Sequence, residues 1–168
     1  MAESDNGSIN EELDNLAVRI LELMNEHIEC KMNIERLVRT GCLDLAKSRY
    51  IMGNNSVSAL QFPTDDVTPL TSIETSTNDG KTTFHLNKTI PDVKKLSSEE
   101  DQVLDKNKEK DPLKWFGVLV PQNLRQSKTW FEKALDISVQ CANVTSEINS
   151  YENKYSDLLK KKTLLKST

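Results

Sequence analysis

Catalysis, metal binding and phosphate binding each need particular side chains at particular spacings, and this chain of 168 residues offers few of them. It has two histidines, His27 and His85, and three cysteines, Cys30, Cys42 and Cys141, with no Cys-x-x-Cys pair. A nucleophile needs a base within reach, a structural zinc needs about four nitrogen or sulfur ligands, and a phosphate loop needs clustered glycines. The five glycines are scattered. No catalytic residue, metal ligand or cofactor is therefore assigned, and a non-enzymatic protein is expected. His27 falls in an apolar helical row, where a lone polar residue tunes register. His85 lies in a polar stretch open to solvent. Cys30 and Cys141 also fall on apolar rows, where a reduced thiol acts as a small hydrophobe. The odd cysteine count and its spacing suit a reducing compartment.

The residues suited to recognition lie at 111–125, reading Asp-Pro-Leu-Lys-Trp-Phe-Gly-Val-Leu-Val-Pro-Gln-Asn-Leu-Arg. This stretch holds one of the two tryptophans and the densest apolar run of the chain, residues 115–120. Two adjacent rings outside any helical period need a surface, since each can bury about 150–250 Å². Trp115, Phe116, Val118, Leu119, Pro121, Leu124 and Arg125 form the predicted partner-binding set. The same run folding back to cap the first helix is the alternative, and both readings stand open.

Composition limits what can hold these residues in place. Hydrophobic residues make up 36% and charged residues 29%, which favours long helices along a narrow seam over a thick core. The net charge of −4 and a pI near 5.3 argue against a nucleic-acid partner. Residues 1–20 contain no apolar signal-peptide core, and no apolar run approaches the ~20 residues of a membrane span. A cytosolic protein is expected, and the sequons at Asn6, Asn54, Asn87 and Asn143 are read as chance.

Ser8 and Glu11 have capping-box spacing, which predicts a helix from about Ile9, with residues 1–8 disordered. Its seam is Ile9, Leu13, Leu16, Ile20, Leu23, His27, Cys30, Ile34 and Leu37, at alternating spacings of four and three. After Leu37 the register slips to Gly41, Leu45, Ser48 and Met52, as a stutter would produce, and Gly41 marks a possible bend. Gly53 suits the position just past the helix end at residue 52. Residues 54–110 read as a flexible, largely disordered linker with a possible small β-hairpin near 70–88, around Asn78-Asp79-Gly80. Within it, 97–110 is a solvated charged stretch.

Pro121 fits the first position of a second helix spanning 121–166. Its seam begins at Trp130 and continues through Ala134, Ile137, Cys141, Val144, Ile148, Tyr151, Tyr155, Leu158, Lys162 and Leu165. Tyr151 and Tyr155 are seam residues rather than a base-stacking platform. The expected fold is all-α: two long helices forming an antiparallel coiled-coil hairpin, with pairing in trans as the alternative. The acidic start of helix 1 would then lie beside Lys160, Lys161, Lys162 and Lys166. That basic cluster reads as a helix end before it reads as a lipid contact.

Two stretches resemble a known family. Residues 111–128, followed by Phe131, are similar to the signature of the coiled-coil V-ATPase assembly factors. A second match is Leu45, Ala46, Lys47, Ser48, Arg49, Tyr50, Ile51, Met52 and Gly53, with Ser56, Val57, Leu60, Gln61 and Phe62 after it. The middle has no counterpart. The resemblance implies a non-enzymatic chaperone without cofactors. It would act at the cytosolic face of the endoplasmic reticulum, with reach to the ER–Golgi intermediate compartment, endosome or lysosome. Its implied partners are a membrane-anchored assembly factor and V-ATPase membrane-sector subunits, so membrane contact is indirect. A prefoldin-like chaperone subunit and a coiled-coil trafficking adaptor are the alternatives.

Overall fold

The computed structural model describes residues 2–64, 67, 69–78, 81–88 and 111–166. Two long helices dominate, α1 (Ala2–Met52) and α2 (Gln122–Lys166), with a two-stranded sheet, β1 (Thr71–Asn78) and β2 (Lys81–Lys88), between them in sequence. Short 3-10 helices cover Ala59–Gln61 and Pro112–Phe116. Residues 89–110, including the charged stretch, and Asp79 and Gly80 lie outside the described residues.

α1 starts at Ala2, ahead of the Ser8 capping box, so residues expected to be disordered are helical. Extending a helix costs far less than nucleating one, and Gly7 inside it costs only about 1 kcal/mol. The chain forms two units. One comprises Met1–Glu35, Thr75–His85 and Asp136–Thr168; the other comprises Arg36–Glu74 and Leu86–Leu135.

In the first unit the predicted seam is the core. Leu13, Leu23 and Cys30 of α1 are buried, as are Cys141 and Val144 of α2. Leu16, Ile20, Ile34, Ile137, Ile148, Tyr151, Tyr155 and Leu158 are half-buried along the same rows. Arg19 pairs with Glu147, and His27 Nδ1 lies 3.2 Å from Thr145 Oγ1 and 3.7 Å from Cys141 Sγ. Ascending positions on α1 thus meet descending positions on α2, which is antiparallel order. Burial pushes the Cys30 thiol up, in keeping with a small hydrophobe. Leu165 is exposed, and Lys160 is engaged by Asp157 on its own helix.

The small hairpin expected near 70–88 is present, so the fold is mostly helical rather than strictly all-α. The hairpin's turn-proximal part is docked on α2, whose side chains occupy the outer edge of β2. Thr82 N–H donates to Ser146 Oγ (3.1 Å), and Phe84 N–H donates to Asn143 Oδ1 (2.7 Å). Asn143 Nδ2 returns a bond to the Phe84 carbonyl (3.0 Å). Covering a strand edge in this way satisfies backbone groups that would otherwise invite another strand. Asn143 uses both ends of its amide here, so a glycan at this sequon would displace the hairpin.

Glu147 joins three segments, accepting from Lys81 Nζ at 3.1 Å and Arg19 at 3.4 Å. Burial alone would raise its pKa, but the hydrogen bond and charge of Lys81, then those of Arg19, outweigh it and hold the carboxyl below its usual value. Such a group stabilises the fold above its unfolded pKa of about 4.3 and loses that contribution as pH falls through the folded value. Glu147→Gln is therefore expected to lower the urea midpoint at pH 7, with the gap to wild type closing below about pH 4. A gap that does not change with pH would refute this role for Glu147.

The second unit contains the larger surprise. Gly41, Asp44 and Ser48 are its buried α1 residues, and with Leu37 they keep spacings of four, three and four. The register does not slip; the expected stutter through Leu45 is replaced by an unbroken row of small and polar residues. Facing it, α2 buries Leu124, Ser127 and Ala134, so its seam begins ahead of Trp130. Gly41 is a packing glycine: a Cβ there would lie 3.1–3.3 Å from three Phe131 ring atoms. After α1, Gly53 takes φ +88 as predicted, Val57 is buried, and Ser58 accepts from Leu60 N–H to start the first 3-10 helix. These residues were expected in a flexible linker. Burial of Val57 and the Ser58 cap order them.

Candidate partner-binding surface

Residues 111–121 are built around local caps. Asp111 accepts from Leu113 N–H (3.1 Å), and Pro112 starts the 3-10 helix where its missing N–H costs nothing. Lys128 on α2 reaches the same carboxylate at 3.0 Å. Burial would raise the Asp111 pKa, but the Leu113 N–H and Lys128 outweigh it and keep the group ionised below its usual range. Gly117 closes the helix at φ +122, a conformation side chains rarely adopt. That requirement accounts for glycine after Trp115-Phe116.

The rings have a partner within the unit. Phe62 stands edge-on to Trp115, with centroids 5.7 Å apart, and to Phe116 at 6.3 Å. Both motif residues are half-buried. Beyond Gly117 the chain turns outward, leaving Val118 95% and Leu119 91% exposed. Pro121 then stands just before α2, its carbonyl accepting from Leu124 and Arg125 N–H groups. It is thus the capping residue rather than the first helical one.

The predicted set therefore divides. Trp115 and Phe116 show one side to Phe62, Val118 and Leu119 lie fully at the surface, and Arg125 is exposed. Leu124 is corrected: at 4% exposure it belongs to the core, because it starts the α2 seam. Of the motif at the end of α1, Tyr50 is 91% exposed, Ala46 and Arg49 are exposed, and Leu45 is half-buried.

Sequence reading missed the element that joins the two motifs. Asp44 is buried and accepts from Trp130 Nε1 (3.2 Å), Lys47 Nζ (3.1 Å) and Asn123 Nδ2 (3.5 Å). Lys47 chiefly, against the effect of burial, holds the Asp44 pKa below its usual value, with Trp130 and Asn123 adding to it. Ser127 Oγ donates to the Gly41 carbonyl and Ser48 Oγ to the Asp44 carbonyl, both at 2.8 Å. A buried polar cluster with this degree of pairing fixes one arrangement of its helices and leaves little tolerance for change. The signal was present in the 41–44–48 spacing, but an apolar-pattern search discards an aspartate.

Among the described residues, no group of three or more His, Cys, Asp or Glu side chains is placed to hold a metal. The chemistry on offer is that of an interface. Exposed Tyr50, Ile51, Leu60, Phe62, Val118 and Leu119 all belong to this one unit.

The Vma22/CCDC115 family profile matches residues 64–134, which include the Trp-Phe-Gly segment and the first turns of α2. Vacuolar ATPase assembly protein VMA22 of Danio rerio is 31% identical over 171 aligned residues, covering 81% of this chain and 82% of the relative. The protein of that name from Mus musculus is 28% identical, covering 92% of this chain and 93% of the relative. That of Homo sapiens is 26% identical, with 82% and 84% covered.

Proposed function

Because the chain belongs to the Vma22/CCDC115 family of vacuolar ATPase assembly proteins, we propose that it is a non-enzymatic assembly chaperone for the membrane, proton-translocating sector of the vacuolar H+-ATPase. It works at the cytosolic face of the endoplasmic reticulum and supports acidification of organelles, including lysosomes. Its two packed helices act as an antiparallel coiled-coil scaffold. Its partners are a membrane-anchored assembly factor and subunits of the membrane sector. Membrane contact runs through that partner; no helix among the described residues is long and apolar enough to cross a bilayer.

One observation carries the reading of the site. Val118 and Leu119 are held outward by Gly117, inside the segment that the family profile matches, with neither side chain covered. Burying both side chains against a partner contributes about 1.5–3 kcal/mol each. The half-buried Trp115 and Phe116 supply a rigid aromatic base for that contact. A prefoldin-like role is less well supported, because the outer edge of β2 is already taken by Asn143 and Ser146.

The cleanest test leaves the Phe62 contact intact. Val118→Ser combined with Leu119→Ser should keep the thermal midpoint of the wild type and lose co-purification with the membrane-anchored V-ATPase assembly factor. Full co-purification by the double variant would refute the patch as the binding surface.

A further inference from the structure

α1 carries a second apolar row. Val18, Leu21, Met24, Ile28 and Met32 follow one another at spacings of three, three, four and four, and are 41–66% exposed. At ~3.6 residues per turn they fall on one face, turned away from the seam of Leu13, Leu23 and Cys30. Scattered exposed leucines need no explanation, but five large apolar side chains on one stripe mark an interaction site. The row spans about 21 Å at ~1.5 Å per residue. Its anchors have the i, i+3, i+7 order by which one amphipathic helix recognises another.

We propose that this row docks a basic amphipathic helix from a different protein chain. The charge around it selects that occupant. Between Glu11 and Glu35, α1 carries seven acidic side chains and two basic ones, Arg19 and Lys31. Glu22 and Glu29 border the row on one side; Glu22 is bridged to Arg19, which also reaches Glu147, and Glu29 accepts from Asn25 Nδ2. A second copy of this chain is the wrong partner. Packed antiparallel through this row, the two Glu22–Glu29 borders would face each other. An anionic membrane surface is disfavoured by the same border. The proposal stands apart from the Val118/Leu119 patch, since it concerns a different face in a different unit and rests on its own residues.

The test uses the full chain and a fluorescein-labelled model peptide of about 18 residues, enough helix to span the row. The peptide has leucines at the anchor spacing and lysines elsewhere; a control replaces every lysine with glutamate. Fluorescence anisotropy should show binding of the lysine peptide and not of the control. Leu21→Ser with Ile28→Ser should weaken it about tenfold or more, as expected when two anchors are lost. Glu22→Lys with Glu29→Lys should weaken it similarly and admit the glutamate peptide. All four positions are exposed, so circular dichroism should be unchanged. Unchanged affinity in either double variant overturns the proposal. So does a wild-type dimer that Leu21→Ser with Ile28→Ser dissociates, or binding to anionic vesicles that this variant abolishes.

Discussion

Truncating Leu23 to alanine should cost about 3–4 kcal/mol of folding free energy, whereas the same change at Leu21 should cost under about 1 kcal/mol. The two leucines are two residues apart on α1, with equal helix propensity and equal hydrophobicity. Their surroundings differ: Leu23 is 2% exposed, and Leu21 is 65% exposed. Removing Leu23 forfeits the transfer free energy of its buried carbons and leaves a cavity that two packed helices can close only in part. Leu21 loses mostly surface already in water. Since small domains are stable by about 5–15 kcal/mol, the Leu23 change should move the denaturant midpoint by a large fraction of its value. Equal costs at the two positions would mean that the seam has been assigned to the wrong face of α1.

Replacing Gly41 with leucine should destabilise the protein by about 2–3 kcal/mol, against the usual trend for a helical glycine. In an exposed helix, exchanging glycine for a better helix former gains up to about 1 kcal/mol. At Gly41 the first added carbon already meets the Phe131 ring at 3.1–3.3 Å, so further atoms must displace that ring. Alanine should come out near neutral, its propensity gain offset by the crowding. A double-mutant cycle separates the effects: Phe131→Ala in the leucine background should restore part of the loss, with a coupling of about 1 kcal/mol or more. If Gly41→Leu alone matches wild type in chemical denaturation, the close helix contact in this unit is refuted.

These two positions mark how far the sequence could be read. Leu13, Leu23, Cys30, Cys141 and Val144 were identified from spacing alone, because apolar burial leaves a periodic trace. The Trp115-Phe116-Gly117 motif stood out for the same reason in reverse, as aromatic residues outside any period. Gly53 was legible because a positive φ after a helix end favours glycine. Where the core of the second unit is made of glycine, serine and aspartate, the trace disappears. Gly41, Asp44 and Ser48 continue the same row as Leu37, but hydrophobicity does not register them. Their burial depends on Trp130, Asn123, Ser127 and Phe131, which are distant in sequence.

The candidate site divides in the same way. Sequence located its residues and could not say which of them face inward. Leu124 and Val118 are both apolar and six positions apart, yet one starts the α2 seam and the other lies beyond Gly117 in solvent. Phe62 gave no hint that it would meet Trp115 and Phe116, since ring contacts across a long connection leave no local pattern. The hairpin was suggested by Asn78-Asp79-Gly80, but an isolated hairpin is marginal in water. Its docking on Asn143, Ser146 and Glu147 comes from side chains of α2. The sequence by itself determined two long helices, most of their facing rows, and an aromatic motif in need of a partner, because these follow from local propensity and period. Tertiary structure alone decided the polar cluster of the second unit, the seating of the hairpin, and which apolar residues remain outside. Those outcomes depend on hydrogen-bond partners and steric fit between segments that the chain keeps far apart.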